Sequence, residues 1–215
     1  MRITELRAAG RPSREDISGS LPEVGGWARS GASGGLLRLL VRHAGPDILV
    51  HSLEVARGAA RVGREYGLEA RRLERIGLAG LLHDVGKSLV PRRVLEKPGP
   101  LDEHEWRQVR RHPSAGARLL RAQGMPDVAA WVLAHHERPD GRGYPRGLRA
   151  HEIPLEARIV AVADAFDAMI GARGYRVPLS HEQALIELRR AAGMQLDAEA
   201  VDAYLASLPP RTHAA

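Results

Sequence analysis

Apolar residues recur at helical spacing through most of the chain, and polar breakers separate the runs. Leu36, Leu37, Leu39, Leu40 and Val41 predict a short first helix. Pro46 opens a second, with Asp47 in its first turn and Leu49, Leu53, Val55, Ala56, Ala59, Ala60 and Val62 along one stripe; Gly67 closes it. A third helix is expected over 69–82, a single turn over 90–95, and a helix from the Asp102–Glu105 capping box to about Arg111. Pro113 suits the first position of a further helix, which leaves His112 at a junction where a side chain can be aimed inward. Helices over 126–136 and 155–171 follow, then one capped by Ser180 and running to Arg190, and a last one capped by Asp197 and running to about Leu205. The pattern predicts an all-α bundle with short loops. Residues 1–35, rich in Gly, Ser, Arg and Pro, read as an irregular or loosely docked segment in which only Trp27 offers an anchor. The folded domain is expected over 36–210.

Composition sharpens this. Hydrophobic residues make up 44% of the chain and aromatics 4%, so the core must rest on Leu, Val, Ile and Ala. No cysteine is present, which excludes disulfides, thiolate metal sites and cysteine nucleophiles; any metal must be held by His and carboxylates. No apolar run has the length of a membrane span, and the N-terminus lacks the apolar core of a signal peptide. Together these fit a cytoplasmic protein with no membrane partner. The net charge of +6 suits an anionic ligand. No recognisable nucleic-acid module is present, and nucleic acid is not expected as a partner.

The chemistry gathers at the ends of helices. His83-Asp84-Val85-Gly86-Lys87 puts an imidazole, a carboxylate and an ammonium within five residues, in a chain whose only lysines are Lys87 and Lys97. His135 and His136 run into a loop too rich in turn-formers to be helix. Asp164 and Asp167 interrupt the most apolar helix, where a carboxylate is costly unless paired, hydrogen-bonded or bound to metal. Asp47 and His51, four apart, share a helical face. His104 reads as solvated. The inward candidates are His51, His83, Asp84, His112, His135, His136 and Asp164, with Asp47 in addition. This set is too large for one ion. Two metals about 3.5–4 Å apart can activate a bridging water and clamp both oxygens of a phosphodiester displacement. The residues alone therefore point to metal-dependent hydrolysis of an anionic, phosphorylated substrate.

These motifs resemble those of a known family. His83-Asp84-Val85-Gly86-Lys87 resembles the HD-x-G-K signature of the HD superfamily of metal-dependent phosphohydrolases. The stretch from His135 to Pro145 is similar at every fixed position to the HHE-x-x-DG-x-GYP signature of its HD-GYP subfamily, and His112-Pro113-Ser114-Ala115-Gly116 resembles that subfamily's H-P-x-x-G element. The resemblance spans about residues 36–190. It implies an HD-type bundle with a dinuclear or trinuclear site at its centre. The implied activity is a cyclic di-GMP phosphodiesterase that yields pGpG and then GMP, with related 3′,3′-cyclic dinucleotides as further substrates. It implies metal ligands at His51, His83, Asp84, His112, His135, His136 and Asp164, with Asp84 as the bridge and Fe or Mn ahead of Zn, Ni and Co. Asp84 and Lys87 are implied as catalytic, with Lys87 on a substrate phosphate or the leaving oxygen. Arg173 and Arg176 resemble the basic pair that holds the dinucleotide phosphates. Gly143, Tyr144 and Pro145 would form the pocket wall, and that loop is implicated in contacts with diguanylate cyclase domains.

Asp47 departs from the pattern. Members with a third metal have a glutamate four residues before the first histidine, and Asp47 is shorter by a methylene. A homodimer is a further expectation. The rival reading is a catalytically silent module that binds a cyclic dinucleotide or docks a cyclase. Such a module would be expected to have lost core ligands, and this chain has lost none.

Overall fold

A computed structural model describes residues 31–44, 47–171 and 178–208. Ten α-helices occur among them: α1 Gly31–Ala44, α2 Asp47–Glu65, α3 Ala70–Leu82, α4 Arg92–Leu95, α5 Glu103–Val109, α6 His112–Ala122, α7 Pro126–Ala134, α8 Leu155–Ile170, α9 His181–Ala191 and α10 Ala198–Ala206. Two short 3₁₀ turns, Val85–Leu89 and Ala150–Glu152, complete the regular structure, and no strand forms among these residues. The all-α expectation holds.

The capping chemistry read from the sequence is present. Asp102 accepts from the Glu105 amide while Glu105 accepts from the Asp102 amide, which satisfies two donors at the start of α5. Ser180 and Gln183 do the same for α9. Gly67 takes a positive φ of 65° just past the end of α2, the conformation that ends helices cheaply only at glycine. One boundary differs. The helix expected over 126–136 ends at Ala134, with His135 as its cap residue, so both histidines leave the regular helix and turn into the site.

Helix α2 packs on α3 and α8, while α6 packs on α7 and on the Val85–Leu89 turn. The core between them is aliphatic: Val55, Ala59 and Val62 of α2 meet Ile76, Leu81 and Leu82 of α3 and Ile159, Val162 and Ala163 of α8. Leu120, Val128 and Val132 extend it toward α6 and α7. Each fully buried Leu or Ile contributes roughly 1.5–3 kcal/mol. This rigid apolar frame surrounds a polar hole, because the helix ends that meet at its centre carry histidines and aspartates.

Two glycines hold the frame close. A Cβ on Gly86 would lie 2.0 Å from the His112 carbonyl oxygen and 2.6 Å from the Gly116 amide nitrogen. The glycines of the HD-x-G-K and H-P-x-x-G motifs thus face each other, so that the turn after Asp84 touches the backbone of α6. Gly86 sits in the 3₁₀ turn, where close approach rather than a helix-capping conformation requires it.

Candidate functional site

Four of the five central histidines reach the centre with one nitrogen already committed. His83 Nδ1 is 2.7 Å from the Gly80 carbonyl, His112 Nδ1 2.8 Å from that of Val109, and His135 Nδ1 2.6 Å from that of Val132. A carbonyl only accepts, so each Nδ1 carries the proton and each Nε2 presents a lone pair. All three bonds reach back three residues, which is the geometry offered by a histidine just at a helix end. His51 Nδ1 lies 2.6 Å from Asp167 Oδ2, and a carboxylate fixes the same tautomer there.

The side-chain donor atoms converge in two groups. His51, His83 and Asp164 form one, and His112, His135 and His136 form the other; within each, the donor atoms lie within 4.8 Å of one another. Asp84 sits between them. Its Oδ2 is 3.3 Å from His83 Nε2 and 4.0 Å from His51 Nε2, and its Oδ1 is 3.3 Å from His112 Nε2. Asp164 Oδ1 is 3.2 Å from His51 Nε2. Lys87 Nζ donates to Asp84 Oδ2 at 2.5 Å.

The arrangement fits divalent cations. His51 Nε2 and His83 Nε2 stand 3.2 Å apart, and His112 Nε2 and His135 Nε2 stand 3.4 Å apart. With the protons on Nδ1, these are lone pairs facing lone pairs. Asp84 Oδ1 is buried and has no hydrogen-bond partner. Such an orphaned buried acceptor is costly unless a cation meets it. The donor set, imidazole and carboxylate without thiolate, suits Fe, Mn, Zn, Ni or Co.

The electrostatics agree. Burial lowers His112 to about 3, with the Asp84 charge opposing. Burial likewise lowers His136 to about 4 and holds His135 well below its ordinary value. Neutral imidazoles are what a metal needs. Burial would raise the Asp84 carboxyl, yet Lys87, His83 and His112 together hold it well below the usual carboxylate range. Burial also opposes ionisation of Asp164, and the contact with His51 and the charge of His83 keep it low.

A cleft of about 550 Å³ opens on the His136 and Asp164 side of this cluster. Gly143 and Tyr144 line it, as expected; Pro145 is exposed and does not. The loop that carries them is pinned from below. Buried Glu137 accepts from the Arg146 amide at 2.7 Å and from the Leu148 amide at 2.9 Å, and the Tyr144 amide donates to the His136 carbonyl at 3.1 Å. A Cβ on Gly143 would lie 2.4 Å from the Arg138 amide nitrogen, so only glycine allows the loop to fold back on itself. The Tyr144 ring leans on His136, with centroids 4.8 Å apart.

Seven expected ligands therefore meet in one place. Asp47 begins α2, but its side chain lies outside the described residues, as do Arg173, Arg176 and Trp27. Two residues had not been singled out as site residues. Asp167 orients His51, and its only signal was its spacing three residues after Asp164 on an apolar helix. Glu137 is a fixed position of the long motif and carries the loop.

A family model described as an HD domain matches residues 17–200. The chain belongs to the HD-domain family. The match begins inside the stretch expected to be irregular. Among related HD-domain proteins, the chain is 38% identical over 173 residues to a cyclic di-GMP phosphodiesterase of Thermotoga maritima, covering 79% of this chain and 47% of the relative. It is 44% identical over 150 residues to a cyclic di-GMP phosphodiesterase response regulator of Xanthomonas campestris pv. campestris, covering 68% and 40%. The chain thus spans less than half the length of either relative. Among solved structures, it shares its fold with a cyclic GMP-AMP-specific phosphodiesterase of V. cholerae at a TM-score of 0.61 and 18% identity, covering 81% of this chain and 48% of that one.

Proposed function

We propose that this HD domain is a metal-dependent phosphodiesterase that hydrolyses cyclic di-GMP to pGpG and onward to GMP. The observation that carries the reading is the pair of donor groups on either side of Asp84, opening on an arginine-lined cleft. Under this reading His51, His83 and Asp164 would hold one divalent ion and His112, His135 and His136 the other, with Asp84 between the two groups as a ligand for both. Fe or Mn is the expected metal. Two such ions, when bound, supply an acidified water as nucleophile and positive charge for the phosphoryl oxygens. Hydrolysis adds water across one P–O3′ bond, leaving a 5′-phosphate and a 3′-hydroxyl. Lys87 would offset charge on the phosphate or the departing O3′, and its contact with Asp84 supports that role. Arg173 and Arg176 are proposed to hold the substrate's phosphates, Asp47 to hold a third metal, and the Gly143–Tyr144–Pro145 loop to form the pocket wall and to dock diguanylate cyclase domains. The functional unit is proposed to be a cytoplasmic domain over residues 36–210, active as a homodimer. Among the described residues no helix is long and apolar enough to cross a membrane.

Protein purified without oxygen, analysed for metal and incubated with cyclic di-GMP should yield pGpG and GMP on chromatography. Protein holding two metals that leaves the dinucleotide intact with both Fe(II) and Mn(II) would overturn the phosphodiesterase and favour a silent binding module. For the third metal, Asp47→Ala should lower the metal count per chain; an unchanged count excludes that role.

A further inference from the structure

The cations that line the cleft differ in how they are held. Arg138 forks onto Asp140 at 3.0 and 2.5 Å, and Arg190 is paired with Glu187 at 2.7 Å. Arg142 has its amide bonded to Asp140 Oδ1 and lies beside the same carboxylate. Arg110 has no carboxylate partner among the described residues. Its guanidinium carbon instead lies 5.4 Å from the centre of the Tyr144 ring.

The two side chains are carried by well-defined backbone. The backbone of Arg110 caps α5 and donates to the Trp106 carbonyl at 2.9 Å, two residues before His112 enters the metal cluster. The Tyr144 ring is held against His136 by its amide bond and its packing. A guanidinium stacked on an aromatic face keeps its N–H edges available to the side. Here Arg110 lines the cleft beside Tyr144, whose ring in turn packs on His136. A phosphate bound at the cluster would sit by His136 and Asp164. The same cleft runs from His136 and Asp164 to Arg110, so the base of a nucleotide whose phosphate lies at the cluster has room to reach Arg110.

We propose that Arg110 reads the Hoogsteen edge of a guanine in the bound cyclic dinucleotide. Guanine presents two adjacent acceptors there, O6 and N7, which match the two parallel donors of the arginine fork; adenine presents N7 beside an N6 donor, which the fork rejects. Arg110 would then set the base preference of a site whose metals recognise only phosphate. The inference rests on the substrate class proposed above and deepens it.

The test is binding rather than turnover. Metal-loaded wild type, Arg110→Lys and Arg110→Met are titrated calorimetrically with non-hydrolysable phosphorothioate analogues of cyclic di-GMP and cyclic di-AMP. Arg110 is exposed, so both variants should fold. Both are expected to lose about tenfold or more in affinity for the guanine ligand, with less than about a twofold change for the adenine ligand. Lysine keeps the charge but not the fork, so an Arg110→Lys protein that binds like wild type overturns the proposal. Equal losses for both ligands would make Arg110 a phosphate contact and also overturn it, as would unchanged binding or a wild type that binds neither analogue or does not distinguish them. Hydrolysis by the wild type, measured separately, decides the phosphodiesterase reading on its own.

Discussion

At the scale of single residues, the second nitrogen of each histidine decides what the first can do. His83, His112 and His135 give Nδ1–H to a carbonyl three residues back, so they arrive as preset Nε2 donors. His51 Nδ1 instead meets the Asp167 carboxylate at 2.6 Å. Asp167→Asn should therefore weaken metal binding about 10- to 100-fold, because the amide can meet Nδ1 as a donor and release the tautomer. Competition with a chromophoric chelator measures this. An affinity within about twofold of wild type would make Asp167 a packing residue. The seven candidate ligands were legible because each falls in a motif or carries a burial penalty that the sequence exposes. Asp167 was not, since its partner is remote in sequence and helical spacing alone does not say whom an acid meets.

At the scale of elements, the site depends on how closely the turn after Asp84 lies against α6. Alanine at 86 would drive a methyl into the His112 carbonyl. Gly86→Ala should cost about 1–3 kcal/mol, the usual scale of forced overpacking, and should move His112 away from Asp84. Chemical denaturation gives the first effect and metal content the second. A variant as stable and as metal-rich as wild type would show that the two backbones can part without consequence. Most helices and caps were legible from periodicity and from the Asp102 and Ser180 boxes. The end of α7 was not. His135 and His136 continue the helical run in the sequence, whereas the helix ends at Ala134 with His135 as its cap, two residues before the turn-rich loop. The 3₁₀ turns were equally hidden, because nothing in Val85–Leu89 distinguishes a tight turn from a helix end.

At the scale of the whole molecule, an apolar bundle is built around groups that must stay uncharged or paired. Burial holds His136 at about 4 and His112 at about 3, both below the ordinary 6.5, and holds His135 low as well. In the metal-free protein the unfolded chain then takes up protons first as the pH falls. Stability should decline from about pH 6.5 toward pH 4 and flatten only below the folded values. The depressed Asp84 and Asp164 add a further loss, but only once the pH falls below the ordinary carboxylate range. Melting temperatures of chelator-treated protein between pH 7.5 and 4.5 test this. A flat profile would mean that these imidazoles are already charged in the fold. The all-α class and the central polar cluster were legible from the sequence. The cleft was only partly so: Tyr144 and Gly143 were expected, whereas Arg110 and Arg190 come from α5 and α9, and tertiary packing alone brings them to one rim.

The two donor groups also differ in how much chain each must gather. One closes between residues 112 and 136, across a single helical hairpin; the other joins His51 to Asp164, with five of the ten described helices between them. Short loops close at lower entropic cost than long ones. On a ribosome the hairpin group is complete while α8 is still unmade. The two donor groups therefore have an order of birth, and the hairpin group can form before the chain that completes the other has been made.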